Sequence, residues 1–315
     1  MADEFHAEQA PGAPGMLSNW CKGAKQMVGT SLGPGRVWFT VGQGILNEIY
    51  YPRVDIPQVR DLGFIIADGQ GFWQEVKLIK DCHVKCTEAG VPAVTVIHRH
   101  PRFTLTQRIV PEPNRDVILV ETTLEGDEGL RPYVLLAPHL GGTGKNNKAE
   151  VGRFRGRRVL WAQQGPFGLA LAAVDARQRD ALGPGNAGYS GRSDAWQNFS
   201  RYGHMKNRYR QAGPGNVALS SALPRQSVIA LGFGSSREAA ATLSISSLLQ
   251  TFELIWRQQI QQWQGWHARC HLCTPEHIEK ISRPLAEQVR TSAMVLRTHQ
   301  DRNFRGALVA SLSVP

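Results

Sequence analysis

The stretch from residue 36 to residue 234 consists of short β-type segments separated by glycine and proline, with no helix-length amphipathic run between them. Val37–Val41 is β-branched and aromatic, is interrupted by Gly42-Gln43-Gly44, and resumes as Ile45–Tyr51, which is the pattern of a β-hairpin. Residues 93–110 alternate apolar and polar side chains around a Pro-Arg turn and predict a second hairpin. Consecutive short strands without crossover helices indicate antiparallel sheets. We therefore expect a mainly β fold, a large two-sheet sandwich.

The pattern changes after Ser235, where the residues become those that favour helices. Four apolar residues recur at intervals of four, four and three and so form one face of a helix: Phe252, Trp256, Ile260 and Trp263. Tryptophan can stack on sugar rings, so a binding surface is one interpretation of this face. A stripe at helical spacing is more often core, and we expect it to pack against the sandwich.

A second helical stripe follows Thr274-Pro275, which has the form of an N-cap with proline at the first helical position. Pro284 predicts a kink or break within it. We expect its apolar members to be buried: Ile278, Ile281, Leu285, Val289, Ala293 and Leu296. The final segment, "RGALVASLSVP" (residues 305–315), is either a buried last strand or part of an unfinished hydrophobic layer. The stripe has no helical partner in the sequence, which favours the unfinished layer and a longer protein.

The net charge is +10, and a basic balance is compatible with nucleic-acid binding through phosphate contacts. The charge is concentrated in residues 152–158 and 201–210, but both segments lie between strand-like stretches and no nucleic-acid-binding motif accompanies them. We expect solvated basic loops and no nucleic-acid partner. No run of about 18 apolar residues occurs, so no membrane partner is expected. The N-terminus does not resemble a signal peptide, which predicts a cytoplasmic location unless the chain begins after an export signal.

Five cysteines occur, at positions 21, 82, 86, 270 and 273. The pairs "CHVKC" and "CHLC" have ligand types suitable for zinc, yet neither has the context of a zinc ribbon. The alternation in "CHVKC" predicts a strand with both cysteines on one face. An odd cysteine count without a secretory signal indicates reduced thiols, and we predict no metal and no cofactor.

Several segments, taken in order, resemble the bacterial glucoamylase and glucodextranase group, glycoside hydrolase family 15. The opening match includes Val37–Thr40, Glu48, Tyr50-Tyr51-Pro52 and Arg60-Asp61-Leu62. "GYSGRSDAWQNF" (residues 188–199), "GNVALSSAL" and "IALGFGSS" are similar to late strands of the family's N-terminal domain, and "VLRTHQDRNFRGALVASLSVP" is similar to the start of its catalytic domain. The resemblance covers nearly the whole chain after residue 9.

This resemblance implies an antiparallel supersandwich of the mutarotase-like kind, followed by an (α/α)6 barrel that hydrolyses α-glucosidic bonds with inversion. We expect a sandwich domain at residues 10–236, a linking helical region at 237–273, and the beginning of a truncated barrel at 274–315. By resemblance the full enzyme releases glucose from the non-reducing ends of α-glucans, and the sandwich packs on the barrel. The alternative is a stand-alone carbohydrate-binding or scaffold module.

The family's catalytic carboxylates lie downstream of the matched stretch, so no catalytic, cofactor-binding or metal-binding residue is assigned and we predict that this chain is inactive alone. The chain departs from the family where His299-Gln300-Asp301-Arg302 replaces His-Glu-Asp-Lys and where Arg305 replaces a common proline. The identity of the glucan therefore stays open.

Two further sets of residues are candidates for chemistry in the sandwich. Mutarotase-like folds can open sugar rings with an acid–base pair, for which the candidates are His98, His100 and His139 with Glu121 or Asp116. Single histidines on strands are more often structural, and we expect no epimerase site. Arg60-Asp61 and Asp194–Trp196 could contact a sugar or the barrel, although packing and turn roles are the simpler interpretation.

Overall fold

The structure is a computed structural model that describes residues 5–314, and strands dominate it. The strands in that range are β1 Ala7–Gln9, β2 Met27–Thr30, β3 Trp38–Gly42, β4 Ile45–Tyr50, β5 Pro57–Ala67, β6 Trp73–Glu75, β7 Cys82–Cys86, β8 Val94–His100, β9 Phe103–Pro111, β10 Val117–Gly126, β11 Arg131–Pro138, β12 Asn147–Phe154, β13 Arg157–Gln164, β14 Phe167–Asp175, β15 Gly185–Tyr189, β16 Tyr209–Gly215, β17 Val217–Ala222 and β18 Gln226–Gly234. The helices are α1 Ala195–Tyr202, α2 Arg237–Leu248, α3 Phe252–Arg269, α4 Pro275–Ile278 and α5 Arg283–Thr298.

The strands form two sheets, which confirms the predicted mainly β sandwich. A ten-stranded sheet has the order β1-β16-β12-β13-β14-β18-β10-β9-β8-β7. An eight-stranded sheet has the order β15-β17-β11-β5-β4-β3-β2, with β6 paired to β5. Both predicted hairpins are present as the antiparallel pairs β3–β4 and β8–β9. The short β1 pairs with β16 in parallel, whereas the other strand pairs in the described chain are antiparallel.

The main core lies between the two sheets. Strand β9 illustrates how the sequence produces it, because Phe103, Leu105, Gln107 and Ile109 are buried while the residues between them are half-buried. This period of two points alternate side chains to opposite faces of the sheet. The inward side chains of both sheets form one continuous apolar cluster, whose members range from Ala10 to Phe233 along the chain.

Helix α1 corrects the expectation that residues 188–199 belong to strands alone. Strand β15 ends at Tyr189, and Asp194 then caps the helix by accepting a hydrogen bond from the Gln197 N–H at 2.9 Å. Gly203 follows the helix with φ 71°, the left-handed conformation that commonly ends helices. Phe199 packs the helix onto the outer face of the eight-stranded sheet. Eight residues between two strands are too short for a periodicity that sequence reasoning recognises.

Helices α2 and α3 cover the outer face of the ten-stranded sheet, as expected for the tryptophan stripe. Phe252, Trp256 and Trp263 are buried in a second apolar cluster with side chains of β10, β13 and β14. Ile260 is half-buried at the edge of this cluster. The Gln259 side-chain amide and the Trp263 indole both donate to the Thr30 carbonyl oxygen, at 2.9 and 3.1 Å. The stripe is therefore core rather than a binding surface.

Helix α5 differs from the prediction in the face that it buries. Its break from α4 agrees with Pro284, which lies in the first turn of α5. The buried residues of α5 are Ala286, Met294 and Thr298, whereas Leu285 and Leu296 are exposed. The helix approaches the sandwich closely, since a Cβ atom at Gly90 would lie 2.7 Å from the Arg290 carbonyl oxygen. The contact is made through the backbone of Arg290, so the leucines on the far side of the helix are left outside.

Candidate functional site

A cleft of about 660 Å³ opens on the outer face of the eight-stranded sheet, beside α1. Its walls come from β5, from β6 and the turn after it, and from the turn between β15 and α1. Arg60, Asp61, Asp194 and Trp196 all line it. The two segments that the sequence offered as sugar or barrel contacts, Arg60-Asp61 and Asp194–Trp196, therefore belong to one site.

Strand pairing places Asp61 at this surface. Asp61 lies opposite Asn47 in the β4–β5 register, and the Asn47 amide donates to its Oδ1 at 3.1 Å. Arg60 forms an ion pair with Asp61, and its Nε donates to the Asn19 carbonyl oxygen at 2.9 Å. The guanidinium is thus held at the cleft wall by a side chain and by the backbone. A charged pair with fixed geometry offers hydrogen-bonding groups to a ligand at little further entropic cost.

Trp196 is held at the opposite wall by Glu75. The indole Nε1 donates to Glu75 Oε2 at 3.1 Å, and Lys77 Nζ lies 3.0 Å from Glu75 Oε1. Trp73 meets the Trp196 ring edge-on, with ring centroids 5.6 Å apart. Sequence reasoning missed Glu75 and Lys77, because their proximity to Trp196 depends on the packing of α1 against the sheet edge.

Burial shifts the pKa values of two groups in and beside the cleft, Asp194 and Cys21. Burial raises the pKa of the Asp194 carboxyl above its ordinary value, while backbone N–H donors from Gln197 and Gly191 oppose that shift. Burial, followed by the neighbouring Asp61 carboxylate, raises the pKa of the Cys21 thiol to about 12. The thiol therefore stays protonated near neutral pH and donates to Asp61 Oδ1 at 2.8 Å.

The carboxylates that line the cleft all have partners within the described chain. Asp61 is paired with Arg60, Glu75 with Lys77, and Asp194 accepts from the first turn of α1. Paired carboxylates of this kind are poorly suited to act as a free general acid and base. The arrangement suits the binding of a neutral polar molecule.

A second feature of the same sheet face is the segment after α5, residues 299–314, which we call the tail. The Arg302 guanidinium donates to the carbonyl oxygens of Ser31, Gly33 and Gly35, and to Thr30 Oγ1 at 2.9 Å. Burial lowers the pKa of Arg302 to about 10, which leaves it charged at neutral pH. Within residues 5–314 this guanidinium forms no ion pair with a carboxylate, so oxygen dipoles hold it.

Other tail residues add contacts on either side of Arg302. The Val54 N–H donates to Asp301 Oδ2 at 3.0 Å. Leu312 is buried against Trp38 and Tyr50. The rest of the final apolar segment is less buried, and Leu308 in particular is exposed to solvent. The tail is therefore anchored at a few points on the sandwich, and it is not a buried last strand.

The buried carboxylate Glu48 lies under the end of the tail. Its Oε2 accepts from the Tyr50 hydroxyl at 2.9 Å and from the Val314 N–H at 3.2 Å. Lys25 Nζ lies 2.9 Å from Oε1, so the buried charge is compensated. Sequence reasoning noted Glu48 only as part of a family pattern, and the contact with residue 314 explains a structural role for it.

The structure does not bring the candidate acid–base residues together. Asp116 forms an ion pair with Arg36, and Glu121 forms one with Arg108. His98 is buried beside Gln107 in the ten-stranded sheet, whereas His139 lies against Trp20 at the end of β11. Within residues 5–314 no hydrogen bond or ion pair joins a candidate histidine to either carboxylate. His100 stacks on Phe103.

The cysteines and basic segments take ordinary positions. Strand β7 carries Cys82 and Cys86 on one half-buried face, as predicted. Across the described chain no group of three or more His, Cys, Asp or Glu side chains is arranged to hold a metal ion. Residues 152–158 form the β12–β13 hairpin, and residues 201–210 connect α1 to β16. Of the helices that the structure describes, none has the length and apolarity needed to cross a membrane.

Comparison with known proteins identifies the family. The family model described as glucodextranase, domain N, matches residues 10–268. This chain belongs to the glucodextranase domain N family. The match spans the sandwich together with α2 and nearly all of α3, so the family unit includes the helices that cover the ten-stranded sheet.

Relatives extend the similarity beyond the domain N match. A glucoamylase of Clostridium sp. (strain G0005) is 25% identical over 324 residues, which cover 99% of this chain and 44% of the relative. The crystal structure of a bacterial glucoamylase complexed with acarbose superposes with a TM-score of 0.89 at 24% identity, covering 99% of this chain and 46% of that one. A gh92 family glycosyl hydrolase has a TM-score of 0.51 at 9% identity, over 83% of this chain and 37% of its own. The domain N chain thus spans less than half the length of these relatives.

Proposed function

We propose that this chain is the N-terminal portion of a glucoamylase-like glycoside hydrolase, an inverting α-glucosidase that releases glucose from the non-reducing ends of α-glucans. In this proposal the sandwich is the partner domain of a helical catalytic domain. The proposal is supported by the similarity to glucoamylases over 99% of the chain, which corresponds to 44% and 46% of the relatives.

The attachment of α5 and the tail to the sandwich is the observation that carries the proposal. Arg302 reaches carbonyl oxygens of the 31–35 loop, and Asp301 accepts from the Val54 N–H. At the same time Leu285 and Leu296 are exposed on the opposite side of α5, with 46% and 65% of their surface open. A helix that is fixed on one face and exposes two leucines on the other is suited to receive further helices.

We divide the chain accordingly into a sandwich domain at residues 10–236, a linking helical region at 237–273, and the first part of the helical domain at 274–315. Inverting hydrolysis needs one carboxylic acid to protonate the leaving oxygen and one carboxylate to activate water, roughly 6.5–9.5 Å apart. We assign both groups to the helical domain and none to this chain. The cleft carboxylates, being paired, do not take those roles in the proposal.

Two measurements test this function. The 315-residue chain alone is expected to release no glucose from maltotriose, with a full-length bacterial glucoamylase as the active control. Glucose release by this chain would refute the assignment of the carboxylates. The coding sequence downstream of residue 315 is expected to continue into further amphipathic helices that can cover the exposed side of α5, and the absence of any such continuation would contradict the proposal.

A second candidate is a stand-alone carbohydrate-binding or scaffold module, and the cleft beside α1 favours it. The two candidate functions differ in whether the chain needs a helical catalytic domain beside it. The module would be stable and monomeric without a helical domain, whereas the hydrolase portion needs one to cover α5. The downstream sequence therefore separates them.

A further inference from the structure

The cleft beside α1 combines an apolar floor with polar side chains at its walls. Its floor includes Leu135, Ala137 and Ala218, which point outward from β11 and β17. Met16, Leu17, Leu78 and Trp196 are large exposed apolar side chains, and all four line this one cleft. Exposed apolar side chains that gather at a concave site indicate binding.

The charges of the cleft restrict the kind of ligand. Arg60 and Lys77 are already paired with Asp61 and Glu75, so a charged ligand would have to compete with existing ion pairs. A neutral ligand with hydroxyl groups can instead add hydrogen bonds to oxygens and nitrogens that are fixed in place. The volume of about 660 Å³ lies within the range of roughly 300–1,000 Å³ that is usual for small-ligand sites.

Trp196 offers this neutral ligand a fixed aromatic surface, which favours a ligand with a flat apolar face. Its side chain is 38% exposed, while the bond from Nε1 to Glu75 and the edge contact with Trp73 fix the indole plane. A pyranose ring has an apolar face of C–H groups and a rim of hydroxyls, which matches a fixed aromatic ring beside paired polar groups. Because the ring is already immobilised, binding loses little side-chain entropy.

We propose that this cleft is a saccharide-binding site of the sandwich, in which Trp196 stacks on a sugar ring and Arg60, Asp61 and Glu75 bond its hydroxyls. The choice of an α-glucan as the saccharide rests on the proposed function. The existence of the site rests on the cleft itself.

The test uses the 315-residue chain and isothermal titration with maltoheptaose, an α-linked oligosaccharide, and cellohexaose, a β-linked one. Trp196→Ala is expected to weaken maltoheptaose binding about tenfold or more, whereas Trp196→Phe keeps most of the affinity. Leu254→Ala is the matched control, since it also removes an exposed apolar side chain but lies on α3. Thermal melting of each variant checks that the fold is intact.

The outcomes separate this inference from the proposed function. Binding of maltoheptaose that Trp196→Ala weakens about tenfold or more and Leu254→Ala preserves supports the site. No binding, or binding that Trp196→Ala changes by less than about twofold, overturns it. Equal affinity for cellohexaose overturns the assignment to α-glucan. Glucose release is measured independently of the cleft, so the loss of the site would leave the proposed hydrolase standing.

Discussion

At the scale of single residues, the two histidines that are buried in the sandwich strands and loops, His98 and His139, affect how stability responds to pH. His98 lies in β8, where its Nδ1 is 3.4 Å from the Gln107 amide nitrogen, and His139 meets Trp20 edge-on at the end of β11. Burial lowers the pKa of His98 and of His139 to about 4 each. Both imidazoles are therefore neutral in the folded protein at neutral pH.

Lowering the pH from about 6.5 to 4 is expected to reduce the free energy of unfolding. In the unfolded chain these histidines have pKa values near 6.5, so below that pH the unfolded state binds more protons than the folded state. Each histidine's contribution is complete above pH 6.5, and at most about 3 kcal/mol of it is lost by pH 4. Urea unfolding at pH 7.5, 6 and 5 measures this.

The matching variants give the control for this pH dependence. His98→Gln combined with His139→Gln should make the stability profile between pH 7.5 and 5 less steep, with a remaining slope from the buried His267 of α3, whose pKa burial also lowers. His83→Gln, at an exposed position of β7, should leave the profile unchanged. A steep profile in the double variant would show that other groups cause the acid sensitivity.

At the scale of secondary structure elements, α3 connects the helical layer to the first strands of the eight-stranded sheet. Trp263 is fully buried in the outer cluster and donates to the Thr30 carbonyl at 3.1 Å. Gln259 donates to the same oxygen at 2.9 Å. One backbone carbonyl at the end of β2 thus accepts hydrogen bonds from two side chains of α3. These two bonds fix the position of the helix along its axis.

Trp263→Ala is expected to lower the free energy of unfolding by roughly 3–5 kcal/mol, because it removes a large buried side chain and a buried hydrogen bond. Leu254→Ala on the exposed face of the same helix should change it by less than about 0.5 kcal/mol. Urea unfolding at pH 7.5 compares the two. Similar losses for both variants would mean that α3 does not pack as described.

Elements were predictable from sequence where the signal is local, and α5 shows the limit of such reasoning. Periodicity located the β3–β4 hairpin, the stripe of α3 and the break at Pro284. It could not decide which face of α5 is buried, because that depends on the close contact of α5 with Gly90, far away in the chain. The face with Leu285 and Leu296 was expected inside and lies outside.

The cleft was predictable only in parts. Arg60-Asp61 and Asp194–Trp196 could be selected as polar and aromatic positions in turns or strands of a family pattern. Nothing in the sequence shows that they share one cavity, since the strand order β17-β11-β5 brings distant segments together. Glu75 and Lys77 were missed for the same reason.

At the scale of the whole molecule, the protein consists of layers in which two sheets enclose the main core and helices cover the outer side of each. Large apolar side chains are left exposed at the cleft beside α1 and, as a second group, along α5 and the tail. Leu285, Leu296, Phe304 and Leu308 are all large apolar side chains with about half or more of their surface exposed. Exposed apolar side chains of this size favour association with another apolar surface.

The chain alone is expected to bind hydrophobic dyes and to self-associate as its concentration rises. Replacing Leu285 and Leu296 together by lysine should reduce both effects without lowering the melting temperature, because the two side chains contact little of the sandwich. Leu249→Lys, at an exposed position before α3, is the matched control and should change neither. Sedimentation analysis and dye fluorescence measure this, and a dye-free monodisperse monomer at every concentration would disprove the expectation.

The oxygen cage around Arg302 also has a consequence for the order of assembly. Its carbonyl and hydroxyl oxygens come from residues 267 to 272 positions earlier in the chain. During synthesis from the N-terminus, the loop of residues 30–35 that supplies these oxygens is therefore made long before Arg302 leaves the ribosome. Because the tail binds this loop through Arg302, we expect α5 and the tail to settle on the sandwich only after the loop has formed.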